Sequence, residues 1–102
     1  MILSEAQNGA QLALYTGDTL VVRLQEMSDG CHWTLTSVDA SCLEMMEHRA
    51  EPARPGPGSA GASVWRFRPK GRGRTRLELT KAGALRAADP AAERFAVELE
   101  LR

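Results

Sequence analysis

The sequence has no excess of charge of either sign, because 13 Lys and Arg side chains balance 13 Asp and Glu side chains among its 102 residues. A chain without net charge has no general attraction to nucleic acid or to an anionic membrane. No apolar run approaches the roughly 20 residues of a membrane-spanning helix. The first residues lack both a basic and a continuous apolar segment, so we expect no signal peptide. The sequence does not decide the cellular compartment of the protein. A mature domain would be periplasmic or extracellular, and the protein would otherwise be cytoplasmic.

Cysteine is scarce, with Cys31 and Cys42 as its two occurrences, which is too few for a disulfide framework. The sequence leaves two alternatives open, a single disulfide across neighbouring strands or two ordinary thiols. Together with His32 and His48 the cysteines match no common zinc spacing. Cys31 and His32 are adjacent in the sequence, and adjacent residues of a strand point to opposite faces, which disfavours a nucleophile pair. We therefore expect no metal, no cofactor, no catalytic residue and no enzyme activity.

Aromatic side chains make up only 5% of the sequence, and none is interleaved with the basic residues on their predicted face. A surface for nucleic acid usually combines basic residues with stacking aromatics. The sequence therefore predicts that its cluster of basic residues lies on the solvated outer face of the strands and in the turn, without binding nucleic acid. That cluster contains Arg66, Arg68, Lys70, Arg72, Arg74 and Arg76.

Two alternating stretches with a turn between them carry the clearest structural signal. Trp65 and Phe67 alternate with arginines, and a second alternating run of leucines follows a break at 69–73. A period of two gives each stretch one apolar and one charged face, as in a strand that borders the core. Proline in the break ends a ladder, and its glycines allow positive φ. The sequence therefore predicts a β-hairpin in which strands 63–68 and 74–80 pair antiparallel.

Further predicted strands cover 11–14, 20–25, 33–36, 42–48 and 94–102. Segment 42–48 contains helix-forming residues, but it is too short for a stable helix, and we interpret it as a strand. Segments 49–62 and 81–92 are predicted to be long loops, because glycine, proline and alanine replace large apolar residues there.

Short alternating strands without crossover helices predict an all-β fold, an immunoglobulin-like antiparallel β-sandwich of about seven to eight strands. We expect one domain over residues 1–102. The inner faces should bury Trp33 and eight residues of the last three predicted strands. These eight are Trp65, Phe67, Leu77, Leu79, Phe95, Val97, Leu99 and Leu101.

The order of loops and strands from Gly58 to Arg102 carries a resemblance to a known family. A Gly-rich loop (GSAGA) is followed by VWRFR, by a basic turn (KGRG), by a strand ending in LELT, and by ERFAVELEL. Upstream, segment 17–20 reads Gly-Asp-Thr-Leu and matches a G-D-x-hydrophobic start of a strand. Over nearly its whole length the chain resembles the chagasin-like inhibitors of papain-type cysteine proteases, which have an immunoglobulin-like fold.

In that family three loops at one end of the sandwich form a wedge that plugs the protease cleft. The first carries Asn-Pro-Thr-Thr-Gly-Tyr-x-Trp, where segment 26–33 reads Glu-Met-Ser-Asp-Gly-Cys-His-Trp. The second is Gly-rich and is matched by 58–62, whereas the Arg-Pro-Trp of the third is replaced by Gly-Ala-Leu at 83–85. The resemblance implies these binding residues: Ser28, Asp29, Gly30, Cys31, Gly58, Ser59, Ala60, Gly61, Ala62, Gly83, Ala84, Leu85 and Arg86.

The resemblance also implies a mechanism without covalent chemistry, in which main chain of the Gly-rich loop runs along the cleft. Segments 26–32, 56–62 and 82–90 should lie at one end, because alternate connections of an antiparallel sandwich do so. The implied partner is a papain-type cysteine protease, with no nucleic acid and no membrane, and the inhibitor is expected to be a monomer. The alternative is a degenerate relative, a β-sandwich protein-binding or assembly module without inhibitory activity. The replaced loop motifs favour this alternative, and the Gly-rich loop favours inhibition.

Overall fold

Strands make up most of the chain in this computed structural model, which describes residues 1–26, 31–52, 61–83 and 93–102. The described ranges contain eight strands and one short 3₁₀ helix, Glu5–Gln7. No helix in these ranges is long and apolar enough to cross a membrane. The strands are Ile2–Leu3 (β1), Gln11–Leu14 (β2), Leu20–Gln25 (β3), Cys31–Ser37 (β4), Leu43–Glu51 (β5), Ala62–Pro69 (β6), Gly73–Gly83 (β7) and Glu93–Leu101 (β8).

The strands form two four-stranded sheets that pack face to face. The order is β1-β3-β6-β5 in the first sheet and β2-β8-β7-β4 in the second. The predicted all-β sandwich is confirmed, including the strand over the ambiguous 42–48 segment. Two pairings differ from the antiparallel expectation, because β1 lies parallel to β3 and β2 lies parallel to β8. Both involve the first 14 residues, where the chain contributes one strand to each sheet.

The predicted hairpin is wrong, although both of its strands exist. Strand β6 pairs with β3 and β5 in the first sheet, whereas β7 pairs with β4 and β8 in the second. The turn after Pro69 therefore carries the chain from one sheet to the other. Alternation fixes which face of a strand is apolar, and that face borders the same core whether the next strand is beside it or opposite it.

The turn between the sheets depends on one glycine with an unusual backbone conformation. Gly73 has φ of 126°, a value that side-chain-bearing residues rarely adopt. Gly71, two residues earlier, has an ordinary φ, and a Cβ added there would lie 3.8 Å from the Ser41 carbonyl oxygen. The Lys70 amide donates a hydrogen bond of 2.8 Å to the Cys42 carbonyl. The turn is thus anchored to the start of β5.

The core lies between the two sheets and contains every residue predicted to be there. All eight predicted inner-face residues are at most 3% exposed, and Trp33 is 6% exposed. Burying each large side chain of this kind contributes roughly 1.5–3 kcal/mol to folding. Further buried leucines and valines come from β3 and β2, among them Leu14, Leu20, Val22 and Leu24.

The basic cluster is exposed and divided between the sheets, as expected for a solvated face. Arg66 forms an ion pair of 3.7 Å with Glu47 across β5 and β6, and Arg68 pairs with Glu44. On the other sheet Arg76 lies 3.5 Å from Glu98. Such exposed pairs contribute at most about 1 kcal/mol each. These glutamates balance the positive charge of three of the six basic residues in the cluster.

The two predicted long loops are shorter than expected. Strand β5 continues to Glu51, and β7 continues through Lys81 to Gly83, where it pairs with β4. The rest of both predicted loops, 53–60 and 84–92, lies outside the described residues. Cys42 is a free thiol, so the disulfide alternative is not realised.

Candidate functional site

Three connections of the chain begin and end at the same end of the sandwich. The strand ends that flank a connection are called its stems below. In the first sheet Ala62 pairs with Gln25 and with Glu51, which brings the ends of β3 and β5 to the start of β6. In the second sheet Cys31 pairs with Gly83, at the start of β4 and the end of β7. The connections 27–30, 53–60 and 84–92 themselves lie outside the described residues. Their stems converge as sandwich connectivity predicts.

Of the sequence-predicted binding residues, the structure describes the backbone of Cys31, Gly61, Ala62 and Gly83. All four belong to the converging strand ends or stand directly beside them. The remaining predicted site residues fall within the undescribed connections and stay predictions. These are Ser28, Asp29, Gly30, Gly58, Ser59, Ala60, Ala84, Leu85 and Arg86.

A hydrogen-bonded group of five residues joins the two sheets at this end, and we refer to it as the stem cluster. Its members are Gln25, Glu26, Trp33, Gly61 and Ser63. The Glu26 amide donates to the Gly61 carbonyl at 2.8 Å. The Glu26 carboxylate accepts hydrogen bonds from the Ser63 hydroxyl and, at 3.3 Å, from the Trp33 amide. The indole Nε1–H of Trp33 donates to the Gln25 carbonyl at 2.9 Å.

Trp33 belongs to the core and also to the stem cluster. Its indole is buried, and the Lys81 ammonium lies 5.8 Å from the centre of the ring. A cation over an aromatic face at this distance is attracted by the ring quadrupole. Lys81 pairs with both Trp33 and Glu93, so it stands beside the stem of the third connection. Through Lys81 and through its indole hydrogen bond to Gln25, the buried tryptophan links the stems on the second sheet to β3 on the first.

The other end of the sandwich has a tight turn with its own hydrogen bonds. The Ser41 hydroxyl and the Ser41 amide donate to the Asp39 carboxylate at 2.6 and 2.9 Å. Hydrogen bonds from the Ser41 hydroxyl first, then from the Ser41 amide and the Cys42 thiol, hold the pKa of the Asp39 carboxyl below its usual value. The group is exposed and belongs to an Asx-type turn.

Sequence reasoning placed Glu26 in the first loop but missed its role and that of Ser63. Glu26 directly follows an alternating strand and precedes Met-Ser-Asp-Gly, and a glutamate there is normally solvated. Ser63 shares a strand face with Trp65 and reads as a small core residue. No local signal pairs two residues that are 37 positions apart.

Residues 13–99 match the family described as chagasin family peptidase inhibitor I42. The chain belongs to this chagasin family. Membership favours a peptidase inhibitor over an assembly module that has lost this activity, and the family consists of inhibitors, not enzymes. No curated protein matches the chain in sequence.

Solved structures show the same fold over almost the whole chain. The cysteine protease inhibitor EhICP2 from Entamoeba histolytica has a TM-score of 0.86 at 18% identity, over 99% of this chain and 94% of that one. Leishmania mexicana ICP has a TM-score of 0.71 at 22% identity, over 93% and 90%. PbICP-C, solved in complex with falcipain-2, has a TM-score of 0.71 at 8% identity, over 99% and 98%.

Proposed function

We propose that this chagasin-family protein inhibits papain-type cysteine proteases by blocking the active-site cleft with the connections 27–30, 53–60 and 84–92. The observation that carries the proposal is the convergence of their stems at one end of the sandwich. The solved relatives support the target class, since one is a cysteine protease inhibitor and another was solved with falcipain-2.

The proposed mechanism is occlusion without covalent chemistry. Glycine in the second connection lets main chain approach the protease closely, because there is no Cβ to keep the two surfaces apart. Gly58 and Gly61 supply this property at either end of the Gly-rich segment. The stem cluster fixes the strand ends before binding, so less conformational entropy is lost when the complex forms. The inhibitor therefore binds as a largely rigid body.

The proposed contact residues are the thirteen predicted from the sequence. Ser28 to Cys31 lie in or directly beside the first connection, Gly58 to Ala62 in or beside the second, and Gly83 to Arg86 in or beside the third. The Ala62 side chain is buried, so this residue would contribute main chain. The third connection differs most from the family, because Gly-Ala-Leu replaces Arg-Pro-Trp. Tryptophan and arginine are frequent hot spots of protein interfaces. We therefore expect weaker binding than the full motif would give.

An inhibition assay with papain tests the proposal directly. The purified protein is titrated against papain with a fluorogenic peptide substrate, and trypsin serves as the matched control protease. We expect reversible, competitive inhibition of papain, with full recovery of activity on dilution, and no inhibition of trypsin. Absence of inhibition of papain and of two further papain-type proteases at tens of micromolar inhibitor would contradict the proposed function.

A further inference from the structure

The Glu26 carboxylate is withdrawn from water at the end that carries the three connections. Its side chain is only 17% exposed, whereas the adjacent His32 is 71% exposed. Buried carboxylates are costly unless their oxygens accept hydrogen bonds. A glutamate at the end of a strand could turn outward, so its inward orientation needs a specific set of partners.

Those partners come from strands that belong to different sheets. Oε1 accepts from the Ser63 hydroxyl, on β6 of the first sheet, and from the Trp33 amide, on β4 of the second. The backbone amide of Glu26 itself donates to the Gly61 carbonyl. Glu26 stands just before the first connection. It is hydrogen-bonded to segment 31–33, which follows the first connection, and to segment 61–63, which follows the second. Hydrogen bonds to a charged group are roughly twice as strong as neutral ones.

The second carboxylate oxygen, Oε2, has surroundings different from those of Oε1. Oε2 is buried, and no described residue donates a hydrogen bond to it. The nearest group of opposite charge is His32, whose Nδ1 lies 3.6 Å away and is charged only when protonated. A half-satisfied buried carboxylate is a poor stabiliser of a sandwich. What the described hydrogen bonds of Glu26 do provide is a connection between Trp33 and Ser63, one on each sheet.

We propose that Glu26 is a positioning residue for protease inhibition, holding the stems of the first and second connections in the spacing that the cleft requires. The inference rests on the proposed function. It assigns this role to a residue outside the predicted contact set, acting through Ser63 and Trp33 and without touching the protease.

Three single variants, the double variant that combines Glu26→Ala with Ser63→Ala, and a matched control test the proposal. Glu26→Ala removes the acceptor, Ser63→Ala removes one donor, and Glu26→Gln keeps an acceptor oxygen without the charge. Glu44→Ala is the control, because it removes a carboxylate paired with Arg68 at the opposite end of the first sheet. For each variant the inhibition constant against papain, the melting temperature and the amide hydrogen exchange of Trp33 are measured.

We expect Glu26→Ala to weaken inhibition about tenfold or more, as loss of a charged hydrogen-bond acceptor implies. Ser63→Ala should weaken it by a smaller factor, and the double variant should bind no worse than Glu26→Ala, because both remove the same contact. Glu26→Gln should stay within about threefold of the parent, and Glu44→Ala should be unchanged. Trp33 amide exchange should accelerate in Glu26→Ala and remain slow in Glu26→Gln and Glu44→Ala.

The outcomes separate this inference from the proposed function. If the parent inhibits papain and Glu26→Ala inhibits equally well, the positioning role is overturned and the function stands. Equal losses in Glu26→Ala and Glu26→Gln would also overturn it, since the hydrogen bonds would not be the cause. If the parent inhibits no papain-type protease, the proposed function fails. In that case the amide hydrogen exchange of Trp33 alone tests whether Glu26 holds the two stems together. An unchanged exchange rate of this amide in Glu26→Ala would overturn that role.

Discussion

The imidazole of His48 lies flat on the indole of Trp65, with ring centroids 4.6 Å apart and an angle of 8° between the planes. The two residues face each other across the β5 and β6 pair. Strand β5 is the edge of the first sheet, so the core would otherwise be open beside Trp65. The exposed His48 ring covers that edge.

We expect His48→Ala to lower the free energy of unfolding by about 1 kcal/mol, the usual contribution of an aromatic pair beyond its buried area. His48→Phe keeps a flat ring and is the matched control, with stability close to that of the parent. Urea denaturation followed by tryptophan fluorescence measures both. Equal losses in the two variants would show that stacking is not what the imidazole contributes.

Gly73→Ala should destabilise the protein by about 1–3 kcal/mol, because a side chain at φ of 126° is strained. Gly71, two residues earlier in the same turn, has an ordinary φ, and the methyl group of Gly71→Ala would be in ordinary contact with the Ser41 carbonyl oxygen, 3.8 Å away. Its expected effect is neutral to stabilising, by up to about 1 kcal/mol, since alanine has less freedom in the unfolded chain. Thermal unfolding compares the two. A similar melting temperature for both variants would contradict the assigned backbone role.

Bulky side chains in the Gly-rich segment 58–62 should weaken inhibition. Replacing Gly58 or Gly61 by leucine adds atoms where main chain is proposed to pass along the cleft, and we expect a loss of roughly tenfold, ~1.4 kcal/mol. Gly71→Ala at the opposite end serves as the control in the same papain assay. If both leucine variants inhibit as well as the parent, this connection does not enter the cleft.

Leu85→Trp should strengthen inhibition, because it restores a large aromatic anchor to the third connection. A gain of about threefold to tenfold in the inhibition constant is expected for a new interface tryptophan. Leu85→Ala is the matched control and should weaken inhibition or leave it unchanged. An unchanged inhibition constant in both variants would exclude this position from the interface.

The turn at Asp39 should make part of the stability depend on pH. Because the pKa of its carboxyl is lower in the folded than in the unfolded protein, its contribution is present above the ordinary value of 3.8 and is lost as the pH falls through the folded pKa. Ser41→Ala removes the largest cause and should raise the pKa of Asp39 towards 3.8. NMR titration of the side-chain carboxyl measures the shift. An identical titration in parent and variant would contradict this assignment.

The strands were predictable because alternation is local, whereas their partners were not. The apolar faces of β6 and β7 border one core from opposite sides, so the same pattern at Trp65 and Leu77 fits a hairpin or a crossing between sheets. Strand β1, only two residues long, leaves no periodic signal. The strand continuation at Lys81 to Gly83 has no apolar alternation, and its pairing with β4 decides its conformation. The role of Glu26 escaped prediction because its partner Ser63 is 37 positions away in the sequence.

The parallel pairing of β2 with β8 determines how the domain responds to force. Four consecutive pairs join these strands, from Gln11 with Glu98 to Leu14 with Leu101. Tension applied ahead of β2 and after β8 pulls the two strands in opposite directions along their length. The evenly spaced hydrogen bonds of a parallel pair are then loaded together in shear, and none can open alone as in unzipping. Extension between β2 and β8 therefore has to break this ladder in shear.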